Sequence, residues 1–247
     1  VPRRVAVSGN GQTVIWSPSN QPQIVVSMDA GATFVRAGSE YFPGMGRAPS
    51  SVSVSDDGLK MVFVADDLEG TERSTRMYYA YAGDSDGNKP DPWSTNYVFS
   101  FTFNRLSTPH TNGEQLYGVH LTGDGTKLIV AARFAMYYSH DYANGFSTGL
   151  TKAADWGAYE VSCSNDGALC MASKLVTAAS HGVYYSNDGG QTWQQYASTV
   201  GLDTSSDDSW GASAVSGDGK RAYAAMYSGD VYAFDADYTG SGCSPSC

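Results

Sequence analysis

The chain has 247 residues, of which 41% are apolar and only 16% charged, with 28 Gly and 17 Tyr. Few Lys and Glu alongside many turn and strand formers exclude a helical bundle and favour short strands joined by tight turns. A net charge of −10 excludes a broad electrostatic grip on nucleic acid and adhesion to an anionic membrane, and no apolar run reaches the roughly 18 residues of a membrane-spanning helix.

The first predicted element is a hairpin: the strand Val5-Ala-Val-Ser-Gly-Asn-Gly11 runs into a turn, and the apolar run Thr13 to Trp16 follows. The phrase returns as Val52-Ser-Val-Ser-Asp-Asp-Gly58, Val119-His-Leu-Thr-Gly-Asp-Gly125, Glu160-Val-Ser-Cys-Ser-Asn-Asp-Gly167 and Ser213-Ala-Val-Ser-Gly-Asp-Gly219, each followed by a second apolar run. Asn/Asp-Gly supplies the positive φ of a two-residue hairpin turn. Five starts at a mean spacing of about 50 residues, with room for four short strands each, are what β-propeller blades require. The expected fold is therefore all-β, a propeller of five four-stranded blades over residues 1–240, with residues 241–247 as a Cys-containing tail. The alternative is a fragment of a six- or seven-bladed propeller. The fifth unit ends soon after Asp237 and is expected to lack its outermost strand.

Counting outward from a two-residue turn at Asp166-Gly167 pairs Cys163 with Cys170 in the register of a hydrogen-bonded pair, a less comfortable place for a bridge, so a slightly longer loop is the alternative. Cys243 and Cys247 close the chain as Cys-Ser-Pro-Ser-Cys. Two local bridges indicate a secreted protein, with free buried thiols as the alternative. Val1 opens the chain without a leader pattern, as expected of a mature form or a fragment.

A second phrase follows the strand Gly182-Val-Tyr-Tyr: Ser186-Asn-Asp188-Gly-Gly190-Gln-Thr192-Trp193, matched in unit one by Ser27-Met-Asp29-Ala-Gly31-Ala-Thr33-Phe34. Unit three holds a worn copy from Ser139 to Phe146, and units two and five have none. This Ser-x-Asp-x-Gly-x-Thr-aromatic pattern resembles the Asp-box, or BNR repeat, of sialidase, xyloglucanase and sortilin-type propellers. The resemblance implies a structural hairpin in which Asp accepts backbone N–H groups, Gly takes a positive φ and the aromatic ring anchors the turn. In those families the box lies away from the active face, so the resemblance implies the fold and leaves the function open.

The loops opposite these turns hold every Glu of the chain in or beside them, together with several Arg. The phrases Asp155-Trp156-Gly157-Ala158 and Ser209-Trp210-Gly211-Ala212, with Tyr117-Gly118, are read as equivalent entries into the inner strands. Tyr117, Trp156 and Trp210, with Arg73 and Arg133, are the candidate ligand contacts, because sugars stack their C–H faces on aromatic rings and need polar partners for their hydroxyls. The competing reading makes both Trp residues core. Glu114, Asp155, Glu160 and Asp208 are the candidate carboxylates for a glycoside hydrolase, which needs two such groups across the site. Asp84, Asp86, Asn88 and Asp91 have the oxygen-rich spacing of a calcium loop without its distal Glu; an ordinary Asx-rich turn is the alternative. The expected function is a secreted module that binds a glycan or another surface, with no nucleic-acid partner, no membrane insertion and no cofactor beyond possible calcium. A glycoside hydrolase and a structural or assembly subunit are the alternatives.

Overall fold

The computed structural model describes residues 2–18, 21–37, 48–67, 74–82, 101–106, 115–141, 149–174, 182–196, 210–226, 229–235 and 243–245. They form twenty strands in five four-stranded antiparallel sheets, and no helix occurs among them. Sheet 1 comprises β1 (Pro2–Val7), β2 (Val14–Pro18), β3 (Ile24–Ser27) and β4 (Val35–Ala37). Sheet 2 comprises β5 (Ser51–Val54), β6 (Lys60–Asp67), β7 (Ser74–Ala82) and β8 (Phe101–Leu106). Sheet 3 comprises β9 (Leu116–Leu121), β10 (Leu128–Ala132), β11 (Met136–Ser139) and β12 (Thr151–Ala154). Sheet 4 comprises β13 (Ala158–Cys163), β14 (Cys170–Lys174), β15 (Val183–Ser186) and β16 (Gln194–Gln195). Sheet 5 comprises β17 (Trp210–Val215), β18 (Arg221–Met226), β19 (Val231–Asp235) and β20 (Cys243–Pro245). Each sheet is a meander in chain order.

The fifth sheet corrects one expectation. Its fourth strand comes from the segment read as a tail: Cys243 pairs with Phe234 and Pro245 with Tyr232. A proline fits there because β20 is an outer strand, where a missing N–H breaks no ladder. The chain divides into two compact units, residues 1–115 with 123–125, and residues 116–122 with 126–247. The first holds sheets 1 and 2, and the second holds sheets 3 to 5.

The turn between the first two strands of each sheet is one repeated device. The amide of Ser8, Ser55, Thr122, Ser164 or Ser216 donates to the carbonyl five residues on, at 2.8 to 3.0 Å. The hydroxyl of the same residue accepts the amide five residues on, from Thr13, Lys60, Lys127, Leu169 and Arg221, at 2.9 to 3.1 Å. In four of the turns that hydroxyl also donates to the side chain two residues on: Asn10, Asp57, Asp166 and Asp218. Only the turn glycine has positive φ, between 65° and 75°. The connection is thus a four-residue loop whose third residue is a left-handed glycine, longer than the two-residue turn the Asn/Asp-Gly pairs predict; the Ser/Thr three residues before the glycine closes the wider loop and supplies the local bonds.

This geometry settles the Cys163–Cys170 pair. The two are cross-strand partners and form a disulfide with a Cα–Cα distance of 4.0 Å. Since Ser164 and Leu169 form the hydrogen-bonded closing pair, Cys163 and Cys170 occupy the adjacent non-hydrogen-bonded position, where side chains lie closer. The expected pairing is found and the expected pair type is reversed. Cys243 lies in β20, and Cys247 lies outside the described residues.

Cores form between neighbouring sheets within each unit. Ile15, Ile24 and Val26 of sheet 1 pack with Val52, Val54, Met61 and Phe63 of sheet 2. Ile129, Ala131 and Met136 of sheet 3 pack with Val161, Cys163 and Cys170 of sheet 4. Leu169, Met171 and Val183 of sheet 4 pack with Trp210, Ala222 and Phe234 of sheet 5. A strand buried on both faces has no solvent side to alternate toward, which explains why Leu128–Ala132 is apolar throughout.

Candidate functional site

The first strands of sheets 3, 4 and 5 share an irregularity at one end. Leu116 pairs with Ala132, Ala158 with Lys174 and Trp210 with Met226, and in each case the register shifts before regular pairing resumes. A bulge inserts residues without a ladder partner and re-aims a side chain. The residue just inside the three bulges is Tyr117, Tyr159 and Gly211, respectively.

The two tyrosines meet. Their ring centroids are 5.4 Å apart with planes inclined at 45°; Tyr117 is half-buried and Tyr159 remains 41% exposed. Glu160, next to Tyr159, is half-buried. A Cβ on Gly118 would lie 3.0 Å from the Glu160 Cα and 3.0 Å from the Tyr159 carbonyl. The two strands approach so closely there that a larger residue would press them apart, and the approach is where the two rings meet.

Trp156 stands in a second aromatic group. Its ring lies 4.3 Å from that of Tyr184 and 5.8 Å, edge-on, from that of Trp193. The Lys174 ammonium sits 5.4 Å from the Tyr184 ring centroid and 5.9 Å from that of Trp156, and burial lowers its pKa. The rings' negative faces offset part of that loss of water. Gly157 places Trp156: a Cβ there would come within 2.1 Å of the Arg133 carbonyl. Arg133 itself is exposed, its guanidinium 4.9 Å from the centroid of the exposed Phe134 ring.

Trp210 is different. It is 1% exposed and packs edge-on against Tyr232 at 5.2 Å within the sheet 4–sheet 5 core. Its pairing aligns it with Leu116 and Ala158 rather than with Trp156. The repeated Trp-Gly-Ala phrase is thus offset by two residues between sheets 4 and 5, and the structural counterpart of Tyr117 is Tyr159. Trp210 is core and offers no ring face to a ligand.

Of the expected carboxylates, Asp155 is exposed and forms an ion pair with Lys152, while Glu160 lies beside the tyrosines. Glu114, Asp208, Arg73 and the calcium-loop candidates Asp84, Asp86, Asn88 and Asp91 fall outside the described residues. Among the described residues no group of three or more His, Cys, Asp or Glu could hold a metal ion. Tyr159, Tyr184 and Lys174 are not among the candidates the sequence marks, and Trp193 is marked there only as the ring that anchors its hairpin. Counting back eight positions from each turn glycine would have found Tyr117 and Tyr159 together.

No family model and no curated protein matches the chain. Solved structures do. A chain of the nidogen/laminin complex superimposes with a TM-score of 0.61 at 15% identity, over 96% of this chain and 76% of that one. Hydrazine synthase of Kuenenia stuttgartiensis gives 0.58 at 13% identity, over 95% of this chain and 62% of that one. TolB of Acinetobacter baumannii gives 0.58 at 16% identity, over 96% and 52%. The chain thus spans between about half and three quarters of the structures it resembles. With its five four-stranded sheets, the likeness shows the fold: an all-β, β-propeller chain.

Proposed function

We propose that this chain is a secreted binding module whose Tyr117–Tyr159 pair forms a stacking platform for carbohydrate, with Glu160 beside it to accept hydrogen bonds from sugar hydroxyls. The observation that supports the reading is a tyrosine held 41% exposed in a bulge and in ring contact with a second tyrosine. Aromatic surface of this kind suits the C–H face of a sugar. The buried Cys163–Cys170 bridge supports an oxidising compartment. Binding is favoured over hydrolysis because a glycosidase needs two carboxyl groups across one site, and of the two candidates among the described residues Glu160 is half-buried near the tyrosines while Asp155 is exposed and ion-paired with Lys152.

A glycan array followed by calorimetry on any hit tests the reading. Tyr159→Ala is expected to weaken binding at least tenfold, about 1.4 kcal/mol, with Tyr117→Ala close behind. An empty array, or a hit that Tyr159→Ala leaves unchanged, refutes it.

A further inference from the structure

The joint between sheets 1 and 2 and the joint between sheets 4 and 5 can be aligned by counting from the turn glycines. Ser17 and Ser173 each stand six residues past the turn glycine of the earlier sheet, Gly11 or Gly167, and Pro49 and Trp210 each stand nine residues before that of the later sheet, Gly58 or Gly219. Both serines are wholly buried. In the first joint the serine is satisfied across it: Ser17 Oγ donates to the Pro49 carbonyl at 3.1 Å. In the second, Ser173 Oγ has no hydrogen-bond partner among the described residues, and neither has the indole N–H of the buried Trp210.

The two orphaned groups belong to the same joint. Ser173 lies two residues from Met171 on β14 and so shares its face, and its ladder partner is Val183. Met171, Val183 and Trp210 form part of one buried cluster between sheets 4 and 5. Ser213, three residues past Trp210, donates its hydroxyl to the Met171 carbonyl at 3.3 Å, which fixes β17 alongside β14. An indole N–H can only donate, whereas a serine hydroxyl both donates and accepts. Leaving two such groups buried and unpaired carries the full loss of their hydration. A small molecule that accepts from the indole and bonds the hydroxyl satisfies both, and water is the ligand that buried polar groups of this kind hold.

We propose that the joint between sheets 4 and 5 contains a specific internal water site, in which one water accepts the Trp210 indole N–H and bonds the Ser173 hydroxyl. It takes the part for Ser173 that the Pro49 carbonyl takes for Ser17. Trp210 is the first residue of β17, and the register shifts directly after it. The water therefore ties β14 to the bulge that opens the fifth sheet, and it gives Trp210 a polar role besides its packing.

A crystal structure at a resolution that shows ordered water tests the proposal on the unaltered chain. One water within about 3.2 Å of both Trp210 Nε1 and Ser173 Oγ is expected. Well-defined density for both side chains with no water between them, or either atom bonded directly to a protein group, overturns it. Thermal melting gives a second test. Ser173→Val expels the water and leaves the indole N–H without an acceptor, whereas Trp210→Phe leaves no N–H to strand. Ser173→Val is expected to lower the melting temperature by about 4 °C in the wild type, and by less than about half of that in the Trp210→Phe background. Equal drops in the two backgrounds refute a shared water. If Trp210→Phe does not fold, the crystal structure decides alone.

Discussion

The hairpins at Ser27–Phe34 and Ser186–Trp193 have the same hydrogen-bonded frame and different surroundings. In both, the serine hydroxyl donates to the aspartate at 2.7 Å and accepts the glycine amide at 2.8 or 2.9 Å, while the aspartate accepts both the amide and the hydroxyl of the threonine. The first ends in an exposed Phe34. The second ends in a half-buried Trp193, whose indole N–H donates to the Gly190 carbonyl and whose ring meets Trp156. The frame is local and forms wherever the pattern occurs, whereas the anchoring of the ring depends on what the sheet packs against.

Substitutions can test that separation. The largest contrast is expected at the ring: Trp193→Ala should cost about 3 kcal/mol in chemical denaturation and Phe34→Ala under about 1 kcal/mol, since only the first empties a packed site. Equal losses would refute the distinction. Next comes the glycine. Gly31 and Gly190 have φ of 88° and 85°, but a Cβ on Gly190 would meet Ile129 at 2.9 Å, while one on Gly31 meets only the far edge of Phe34 at 3.8 Å. Gly190→Ala should therefore cost about 2 kcal/mol and Gly31→Ala about 1 kcal/mol.

One residue earlier the two hairpins differ in sequence as well, with Ala30 at φ 56° where the other has Gly189 at φ 72°. Ala30→Gly is expected to stabilise by a few tenths of a kcal/mol through relief of the left-handed backbone. Gly189→Ala should destabilise, because its Cβ would press on His140 Nε2 at 2.8 Å. The smallest effect is acid sensitivity. Thr33 and Ser27 hold Asp29 down to about 2 from 3.8, and Thr192 and Ser186 lower Asp188 against an opposing desolvation. A depressed carboxylate stabilises the fold above its unfolded pKa, and this contribution fades as pH falls through the folded value. Melting temperature should thus drop between about pH 4 and pH 2, with a shallower slope in Asp29→Asn.

What the sequence reveals here follows how local each feature is. The five turns are legible because their bonds join residues at most five positions apart, although the loop length is not: the serine that widens the loop stands in every repeat phrase except the third, where threonine replaces it. The site is less legible. Trp156 and Trp210 share neighbours in sequence and differ in register, because each bulge's size and position depend on pairing with the second strand, which the Trp-Gly-Ala phrase does not encode. Tyr159 is not legible as a site residue because its ring contact with Tyr117 depends on the close approach of two sheets' strands at Gly118.

The cystine in sheet 4 joins residues only seven apart. Closing so small a ring removes about 2 kcal/mol worth of freedom from the unfolded chain, about half of what a hundred-residue loop would give. Its greater consequence is for register. The bridge closes within one hairpin and needs no other sheet in place, and once formed it locks β13 and β14 against a one-residue slip that would turn every side chain to the opposite side.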